Sequence, residues 1–355
     1  MIRLLFKFIF ILLLTNLEMA FAQPKSETDV LSNWKRTHFV AYCNIFDFEG
    51  KLILEVPGNI CYFMPDGHLV SGNTSGLTLY NPDKSKAWEI LGHFHHQLTL
   101  SNDGKFILAI SSKVLNKDGK KIRYDVLYKV DMKGNIVGTI DTIKIFEAMK
   151  FEFTITPFTW DPAYKDADHE LSHINSFYEV PKQNSPEKSA LKEGQFVVNS
   201  ISAGSFLLDA KLEKAIMHFP FKTSLNVTHD VQPQPDGTLL YINNLVLQKN
   251  VTEPYQAPFS NVETYDPKLK EAKVIFQAEP PQAFFSKACG GVQKLTDSVI
   301  LISHMFMGSY IYDTKQKRIL KTTLLDIPNS NGALRAVQNA KLVNLESFLS
   351  HWKSN

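Results

Sequence analysis

The sequence predicts an all-β protein, a six-bladed β-propeller built from four-stranded antiparallel blades. Two kinds of turn alternate along most of the chain, each between short runs of alternating apolar and polar residues. An Asp-Gly turn between such runs is the strongest local signal of a β-hairpin, because its type I′ turn requires positive φ. Two hairpins form a four-stranded sheet, and radial repetition of such sheets forms a propeller.

The first kind of turn is Asp-Gly or an equivalent. It occurs in "FMPDGHLV" (63–70), "LSNDGKFILAI" (100–110), "PQPDGTLLYI" (233–242) and "KLTDSVILI" (294–302), with a weaker variant in "LKEGQFVV" (191–198).

The second kind of turn places Asp or Asn after an aromatic or apolar residue and before a polar stretch. Its six copies are "FDFEGKLILEV" (46–56), "LYNPDKSKAWEI" (79–90), "YKVDMKGNIVGTI" (128–140), "LLDAKLEKAIMHF" (207–219), "TYDPKLKEAKVIF" (264–276) and "YIYDTKQKRIL" (310–320). These copies predict six blades of roughly 50 residues each. The segment "NAKLVNLESFL" (339–349) is expected to form either a short helix or the strand that closes the ring.

The N-terminal segment "MIRLLFKFIFILLLTNLEMAFAQ" has the features of a secretory signal peptide. Arg3 and Lys7 precede a short apolar run, and Ala20-Phe21-Ala22 matches a cleavage site. We expect residues 1–22 to be the signal peptide and residues 23–355 to form a single propeller domain, with an uncleaved anchor as the alternative. The mature protein is then soluble, and either periplasmic or secreted.

Composition excludes several classes of function. The 355 residues carry a formal net charge of +2, which gives no electrostatic reason to expect nucleic acid or an anionic membrane as partner. The chain contains no phosphate-binding loop, no dinucleotide fingerprint and no nucleophile elbow, so we expect no cofactor. Of the three cysteines, Cys43 and Cys61 are the favoured disulfide pair, because the segment between them can form a hairpin.

Two histidines occupy the same place in the repeated pattern. His96 stands seven residues before Asp103, and His229 stands seven residues before Asp236. Equivalent positions in successive blades lie on a ring around the propeller axis, so both side chains should face the central funnel. The equivalent positions in two other blades hold Asn59 and Gly290. His173, in "HELSHINSFYEV", precedes a strand-like run and is expected to be the third histidine of the ring.

Three chemistries are compatible with such a ring. The histidines can act as metal ligands, as a nucleophile with groups that stabilise an anion, or as structural residues at strand ends. Strand alternation predicts that His95 points away from His96, and that Asp230 points away from His229. Asn175 lies two residues after His173 and can donate its side-chain N–H to an anion.

Four segments, in order, resemble the bacterial arylsulfotransferases that work without a nucleotide sulfate donor. They are "HHQLTLSNDGKFILAI", "HINSFYEV", "THDVQPQPDGTLLYINN" and "GGVQKLTDSVILISH". The resemblance extends over most of residues 40–315. It implies an exported six-bladed propeller that moves a sulfuryl group from an aryl sulfate to a phenol through a sulfated histidine. By the same resemblance His229 is the nucleophile, whereas His96, His173 and Asn175 bind the sulfuryl oxygens. His95, next to His96, is a further candidate substrate-binding residue.

One departure from the family pattern affects the expected chemistry. The family has an arginine in a strand after the "HxNS" segment, where this chain has Asn199, Ser200 and Ile201. Arginine is the best donor to an oxyanion, and Arg335 is the candidate to replace it. The leading hypothesis is therefore an aryl-sulfate sulfotransferase acting on small aromatic sulfates and phenols. The alternatives are an inactive propeller that binds a ligand or a protein, and a metal-dependent hydrolase using Asp161, Asp168 or Glu170.

Overall fold

The computed structural model describes residues 31–32, 34–150, 156–157, 167, 169–201, 203–219, 227–246, 259–286, 289–304, 308–326 and 340–353. Within these ranges six antiparallel sheets form the blades of a six-bladed propeller, which confirms the predicted fold class. The predicted signal peptide, residues 1–22, lies outside the described residues.

The first three blades follow the turn pattern. Blade 1 contains β1 (His38–Ala41), β2 (Asn44–Phe46) and β3 (Leu52–Glu55). Blade 2 contains β4 (Ile60–Phe63), β5 (Leu69–Gly72), β6 (Gly76–Tyr80) and β7 (Lys86–Leu91). Blade 3 contains β8 (His93–Leu100), β9 (Phe106–Lys117), β10 (Lys120–Asp131) and β11 (Ile136–Asp141), followed by the helix α1 (Thr142–Ala148).

Blade 3 is larger than the others. Beyond it lie two short strands, β12 (Thr156–Pro157) and β13 (His169–Glu170). The extended part of β10 pairs in parallel with β13, so that Arg123 stands opposite Glu170. This pairing matters because β13 leads directly into the segment that carries His173.

The last three blades are regular. Blade 4 contains β14 (Ile174–Glu179), β15 (Phe196–Ser200), β16 (Gly204–Leu208) and β17 (Ala215–Phe219). Blade 5 contains β18 (Thr228–Pro233), β19 (Leu239–Val246), β20 (Phe259–Asp266) and β21 (Glu271–Phe276), followed by a 3-10 turn at Pro281–Ala283. Blade 6 contains β22 (Gly291–Lys294), β23 (Val299–His304), β24 (Gly308–Asp313) and β25 (Arg318–Thr323).

The C-terminal segment forms both structures that the sequence left open. The strand β26 (Lys341–Val343) pairs with β1 and completes blade 1. The helix α2 (Glu346–Trp352) then packs Phe348 and Trp352 between blades 1 and 2. The ring is therefore closed by pairing the end of the chain with its first strand.

The hydrophobic core is divided among the blade interfaces. The described residues contain six buried apolar clusters, and each one fills the space between two adjacent blades. The expected disulfide Cys43–Cys61 is present and joins blade 1 to blade 2. No helix in the described part of the chain is long and apolar enough to cross a membrane.

Candidate functional site

Three inner strands are bulged where the predicted site residues lie. The register shifts in β8 between Phe94 and Leu98, in β14 between Ile174 and Ser176, and in β18 between His229 and Gln232. A bulge leaves an extra residue unpaired and re-aims its side chain. In two of these bulges a non-glycine residue has left-handed backbone, namely His96 at φ 60° and Asp230 at φ 56°.

The bulge in β8 overturns one expectation. The Nδ1 atoms of His95 and His96 lie 2.5 Å apart, so the two neighbouring rings point towards each other. Simple strand alternation would have separated them, but it applies only where the pleat is regular. The sequence prediction that His95 faces away from His96 is therefore wrong, because the left-handed backbone at His96 reverses the side-chain direction.

Three histidine rings form a continuous chain. The Nε2 atom of His96 lies 3.0 Å from the Nε2 atom of His173, and the rings are nearly perpendicular. With the contact to His95, the chain contains two bonds between ring nitrogens. The structure thus brings together three of the residues that the sequence singled out, from two adjacent blades.

A carboxyl group stands at each end of this chain. At one end Asp125, which is fully buried, lies 3.1 Å from His95 Nε2. At the other end Glu170 lies 3.0 Å from His173 Nδ1, and its second oxygen accepts a hydrogen bond of 2.7 Å from Arg123. All six ring nitrogens of the three histidines are therefore engaged.

Burial disfavours charged forms of the side chains in this chain of three histidines and two carboxyl groups. Removal from water lowers the pKa of His95 and of His96 well below its ordinary value, and neighbouring cations lower it further. Burial also raises the pKa of Asp125, despite the Arg123 charge and the N–H of Ile174, which donates to its Oδ2 at 2.7 Å. The apolar surroundings therefore favour the neutral forms of His95, His96 and Asp125.

His229 is held in one orientation by Asn244. The amide nitrogen of Asn244 donates to the carbonyls of Ser286, at 2.6 Å, and Cys289, at 2.7 Å. Its oxygen therefore faces His229 Nδ1, at 2.7 Å, and can only accept, so Nδ1 carries the proton. Burial lowers the pKa of His229 to about 4. The neutral ring consequently keeps its lone pair on Nε2.

His229 belongs electrostatically to the same site. A charge on His229 would lower the pKa of His96, and a charge on His173 lowers that of His229. The neighbouring Asp230 has different partners, as expected. It accepts hydrogen bonds from the Tyr178 hydroxyl, from the Val292 backbone N–H at 2.9 Å and from Lys341.

Asn175 contacts the strand that carries His229. Its amide nitrogen donates to the backbone carbonyl of Thr228 at 2.7 Å, and its oxygen accepts from the Asn199 amide at 2.9 Å. Asn199 also donates to the same Thr228 carbonyl at 2.8 Å. These bonds connect blades 4 and 5 at the residue before His229. That Asn175 binds a sulfuryl oxygen stays a prediction.

An arginine reaches the site from a different strand. The segment with Asn199, Ser200 and Ile201 supplies amide and hydroxyl groups, and Asn199 and Ser200 are buried. Arg123, from β10, is almost completely buried instead, and its charge acts on His95 and His96. Arg335, the sequence candidate for this part, lies outside the described residues.

Sequence reasoning missed Arg123, Asp125 and Asn244 as parts of the site. One signal was present, because "KKIRYDVLYKV" places Arg123 and Asp125 two residues apart, next to the apolar residues Ile122 and Val126. Charged residues are rarely buried unless they are paired. Glu170 was noted only as a possible metal ligand, and its actual partners are Arg123 and His173.

The metal hypothesis has no support in the part of the chain that the structure describes. There, no group of three His, Cys, Asp or Glu side chains has the arrangement of a metal site. The candidates Asp161 and Asp168 lie outside the described residues.

Comparison with known proteins gave one family. The family model "Arylsulfotransferase (ASST)" matches residues 20–191. No curated protein matches the chain.

Solved structures share the fold. A protein of unknown function from Bacteroides caccae is similar with a TM-score of 0.53 at 9% identity, over 86% of this chain and 98% of that chain. The β-propeller domain of Cps50 (Swd1) from Myceliophteria thermophila has a TM-score of 0.44 at 12% identity, over 77% of this chain and 73% of that chain. At these identities the likeness to the first concerns the fold alone.

Proposed function

We propose that this chain, whose residues 20–191 match the arylsulfotransferase family model, transfers a sulfuryl group from an aryl sulfate to a phenol through His229. The observation that carries the proposal is the hydrogen bond from His229 Nδ1 to Asn244 Oδ1. It leaves a lone pair on Nε2 of a ring that burial keeps neutral. A neutral imidazole is a nucleophile near pH 7.

The transfer proceeds in two balanced steps. In the first, the Nε2 lone pair of His229 forms a bond to sulfur, while the bond from sulfur to the aryl oxygen breaks and its electron pair leaves with the phenolate. In the second, the oxygen of the acceptor phenol attacks sulfur and the electron pair of the N–S bond returns to Nε2. The acceptor loses the proton that the departing phenolate gains.

His96 and His173 are the proposed donors to the sulfuryl oxygens. Both rings are electrostatically coupled to His229. N–H donors fixed in a site of low polarity stabilise the negative charge that spreads over these oxygens in the transition state. Asn175 and His95 are proposed to assist binding, Asn175 through its bond to the Thr228 carbonyl and His95 through its bond to His96. The substrates are small aromatic sulfates and phenols.

We also propose that the protein works outside the cytoplasm, in the periplasm or after secretion. Two observations support this, the signal-like segment 1–22 and the disulfide Cys43–Cys61, since disulfides persist mainly in oxidising compartments. N-terminal sequencing of protein from cell fractions tests the proposal. A mature chain that begins at Gln23 outside the cytoplasm supports it, and intact Met1 in the cytoplasm contradicts it.

A burst assay with 4-nitrophenyl sulfate tests the proposed activity. Nitrophenolate release should depend on an added phenol and disappear in His229→Ala. The matched control is His68→Asn, because the ring of His68, in the turn after β4, is partly exposed and pairs with Asp66. This control should keep its activity. No release from folded protein with several aryl sulfates and acceptors would contradict the proposal.

Two observations favour a second function, ligand or protein binding by an inactive propeller. The positions that match the family arginine hold Asn199, Ser200 and Ile201. In addition, the Nε2 atoms of His96 and His173 are hydrogen-bonded to each other. Inactivity of folded wild-type protein, together with retained binding of aryl sulfates, would support this function.

A further inference from the structure

We propose that the chain of three histidines between Asp125 and Glu170 stores four protons. We further infer that this chain takes up a fifth proton from solvent when a sulfuryl group enters between His96 and His173. The inference rests on the proposed sulfuryl-binding role of these two rings, but concerns the protons of the site rather than the transfer itself.

The hydrogen bonds determine the number of protons. The chain contains four of them, and they join Asp125 to His95, His95 to His96, His96 to His173, and His173 to Glu170. Each bond needs one hydrogen between its two atoms. Three neutral rings supply three hydrogens, so the fourth must come from one of the carboxyl groups, or from a second proton on one ring.

The surroundings decide where the fourth proton resides. Arg123 donates to Glu170 at 2.7 Å and stabilises its carboxylate. Asp125 is completely buried, and burial raises its pKa. The proton therefore belongs on Asp125, which donates to His95 Nε2. The direction of the chain follows, with protons on His95 Nδ1, His96 Nε2 and His173 Nδ1.

Charge is balanced in this resting state. The three neutral rings and protonated Asp125 carry no charge, and the Glu170 carboxylate is compensated by Arg123. Moving the proton along the three histidines changes its position but not the net charge of the site. Such a chain resists protonation and deprotonation as a unit, because removing a proton breaks a buried hydrogen bond.

Entry of a sulfuryl group changes the count. It must separate His96 from His173, since their Nε2 atoms lie 3.0 Å apart and leave no room for an oxygen between them. The three remaining bonds hold three protons. For the Nε2 atoms of both His96 and His173 to donate to sulfuryl oxygens, two more protons are needed, so the total becomes five protons. The added proton gives the site one positive charge, opposite to the single negative charge of an aryl sulfate.

Other titratable groups face the chain from the elements packed against it. His93 lies on the same strand, with its ring 5.6 Å from that of His95. His229 on β18 and Arg123 on β10 act electrostatically on His96, and Asp230 acts on His229. A charge on His229 acts on His96, and the neutral His229 ring can compete for the added proton, so the test must separate it from the chain of three histidines.

Calorimetric titration with inorganic sulfate measures the proton uptake directly. Heats of binding are compared at pH 7 in two buffers of different ionisation enthalpy. We expect uptake of about one proton per bound sulfate, and an affinity that falls about tenfold for each pH unit above neutrality. Binding without uptake of a proton would overturn the proposal.

Three variants locate the added proton. His173→Ala should weaken sulfate binding by about tenfold or more, since it removes one of the two charge-assisted donors. His229→Asn should keep the uptake of one proton. His93→Gln, the matched control outside the chain of three histidines, should keep both the affinity and the uptake. Loss of the uptake in His229→Asn would assign the proton to His229 and contradict the proposal.

Histidine ¹⁵N NMR tests the positioning roles of Asp125 and Glu170. Wild-type protein should show His173 protonated at Nδ1 and His96 at Nε2. In Asp125→Asn the amide can replace the protonated acid, because its oxygen still accepts from Ile174 N–H and its nitrogen donates to His95. This variant should keep the wild-type pattern. Glu170→Gln should reverse it, because the amide oxygen then faces Arg123 and its nitrogen donates to His173 Nδ1.

The outcomes separate this proposal from the proposed function. Sulfate is not turned over, so a protein that binds it with proton uptake but cleaves no aryl sulfate refutes the transfer and keeps the proton count. A wild-type spectrum with His173 protonated at Nε2, or an unchanged spectrum in Glu170→Gln, refutes the proposed direction of the chain.

Discussion

The Nζ atom of Lys341 lies 2.9 Å from Oδ2 of Asp230, so the strand that closes the ring is bound to the residue beside His229. The two residues are 111 positions apart in the chain. Asp230 is buried, whereas Lys341 is partly exposed. Lys341 also donates to the Val292 carbonyl at 3.0 Å. Closure of the propeller and placement of the strand that carries His229 are thus connected by one ion pair.

Replacement of Lys341 should lower the stability of the propeller. We expect Lys341→Met to lower the free energy of unfolding by about 1–3 kcal/mol, because a buried carboxylate loses a charged donor but keeps the N–H of Val292. Urea unfolding measures the change. The control is Lys294→Met, whose lysine makes only longer ion pairs with exposed carboxylates. This variant should change stability by less than about 1 kcal/mol. Equal effects of the two variants would contradict the prediction.

Loss of the Asn244 acceptor should impair the chemistry more than the fold. In Asn244→Leu the proton of His229 is no longer held on Nδ1, so the lone pair is not directed to the substrate. We expect kcat to fall about 100-fold or more with 4-nitrophenyl sulfate, as for other histidines deprived of the group that sets their tautomer. Asn243→Leu, at the neighbouring buried asparagine, is the control and should be far less impaired. Full activity of Asn244→Leu would show that the tautomer is irrelevant.

Acid should destabilise the protein through His229. Burial lowers the pKa of His229 to about 4 in the folded protein, and about 6.5 is usual for an unfolded chain. Between these values the unfolded state binds more protons, so stability falls as the pH decreases from about 6.5 to 4. At pH 5 this costs about 2 kcal/mol relative to pH 7.

The difference between wild type and His229→Asn measures that contribution. Urea unfolding at pH 7 and pH 5 should show a smaller acid loss in the variant. The same low pKa predicts that turnover stays constant from pH 7 down to about pH 5 and declines only below it, provided that substrate is saturating. An acid limb near pH 6.5 would mean that the nucleophile has an ordinary pKa.

The disulfide should contribute to the stability of the ring. Cys43 and Cys61 are 18 residues apart and join two blades. The double variant Cys43→Ser, Cys61→Ser should lose about 2–4 kcal/mol of unfolding free energy, since the crosslink restricts the unfolded chain. Cys289→Ser, at the remaining free cysteine, is the control for thiol removal. If reducing agent lowers the wild-type melting temperature no more than that of the double variant, the prediction fails.

The sequence by itself determined the repeated hairpins and the number of blades, and it singled out His96, His173 and His229 from their places in the repeat. These follow from periods of two residues and from turn residues, which act over short distances in the chain. The sequence also favoured the pairing of Cys43 with Cys61, and the structure contains this disulfide.

Only the tertiary structure decided how these residues work together. His95 joins His96 because a bulge places His96 in left-handed backbone, which no alternating pattern indicates. Glu170 reaches Arg123 through a parallel pairing of β10 with β13, and Asn244 reaches His229 from the neighbouring strand. Bulges and distant pairings depend on how whole blades pack, so the partners that set the tautomers and charges of the histidines could not be read from local sequence.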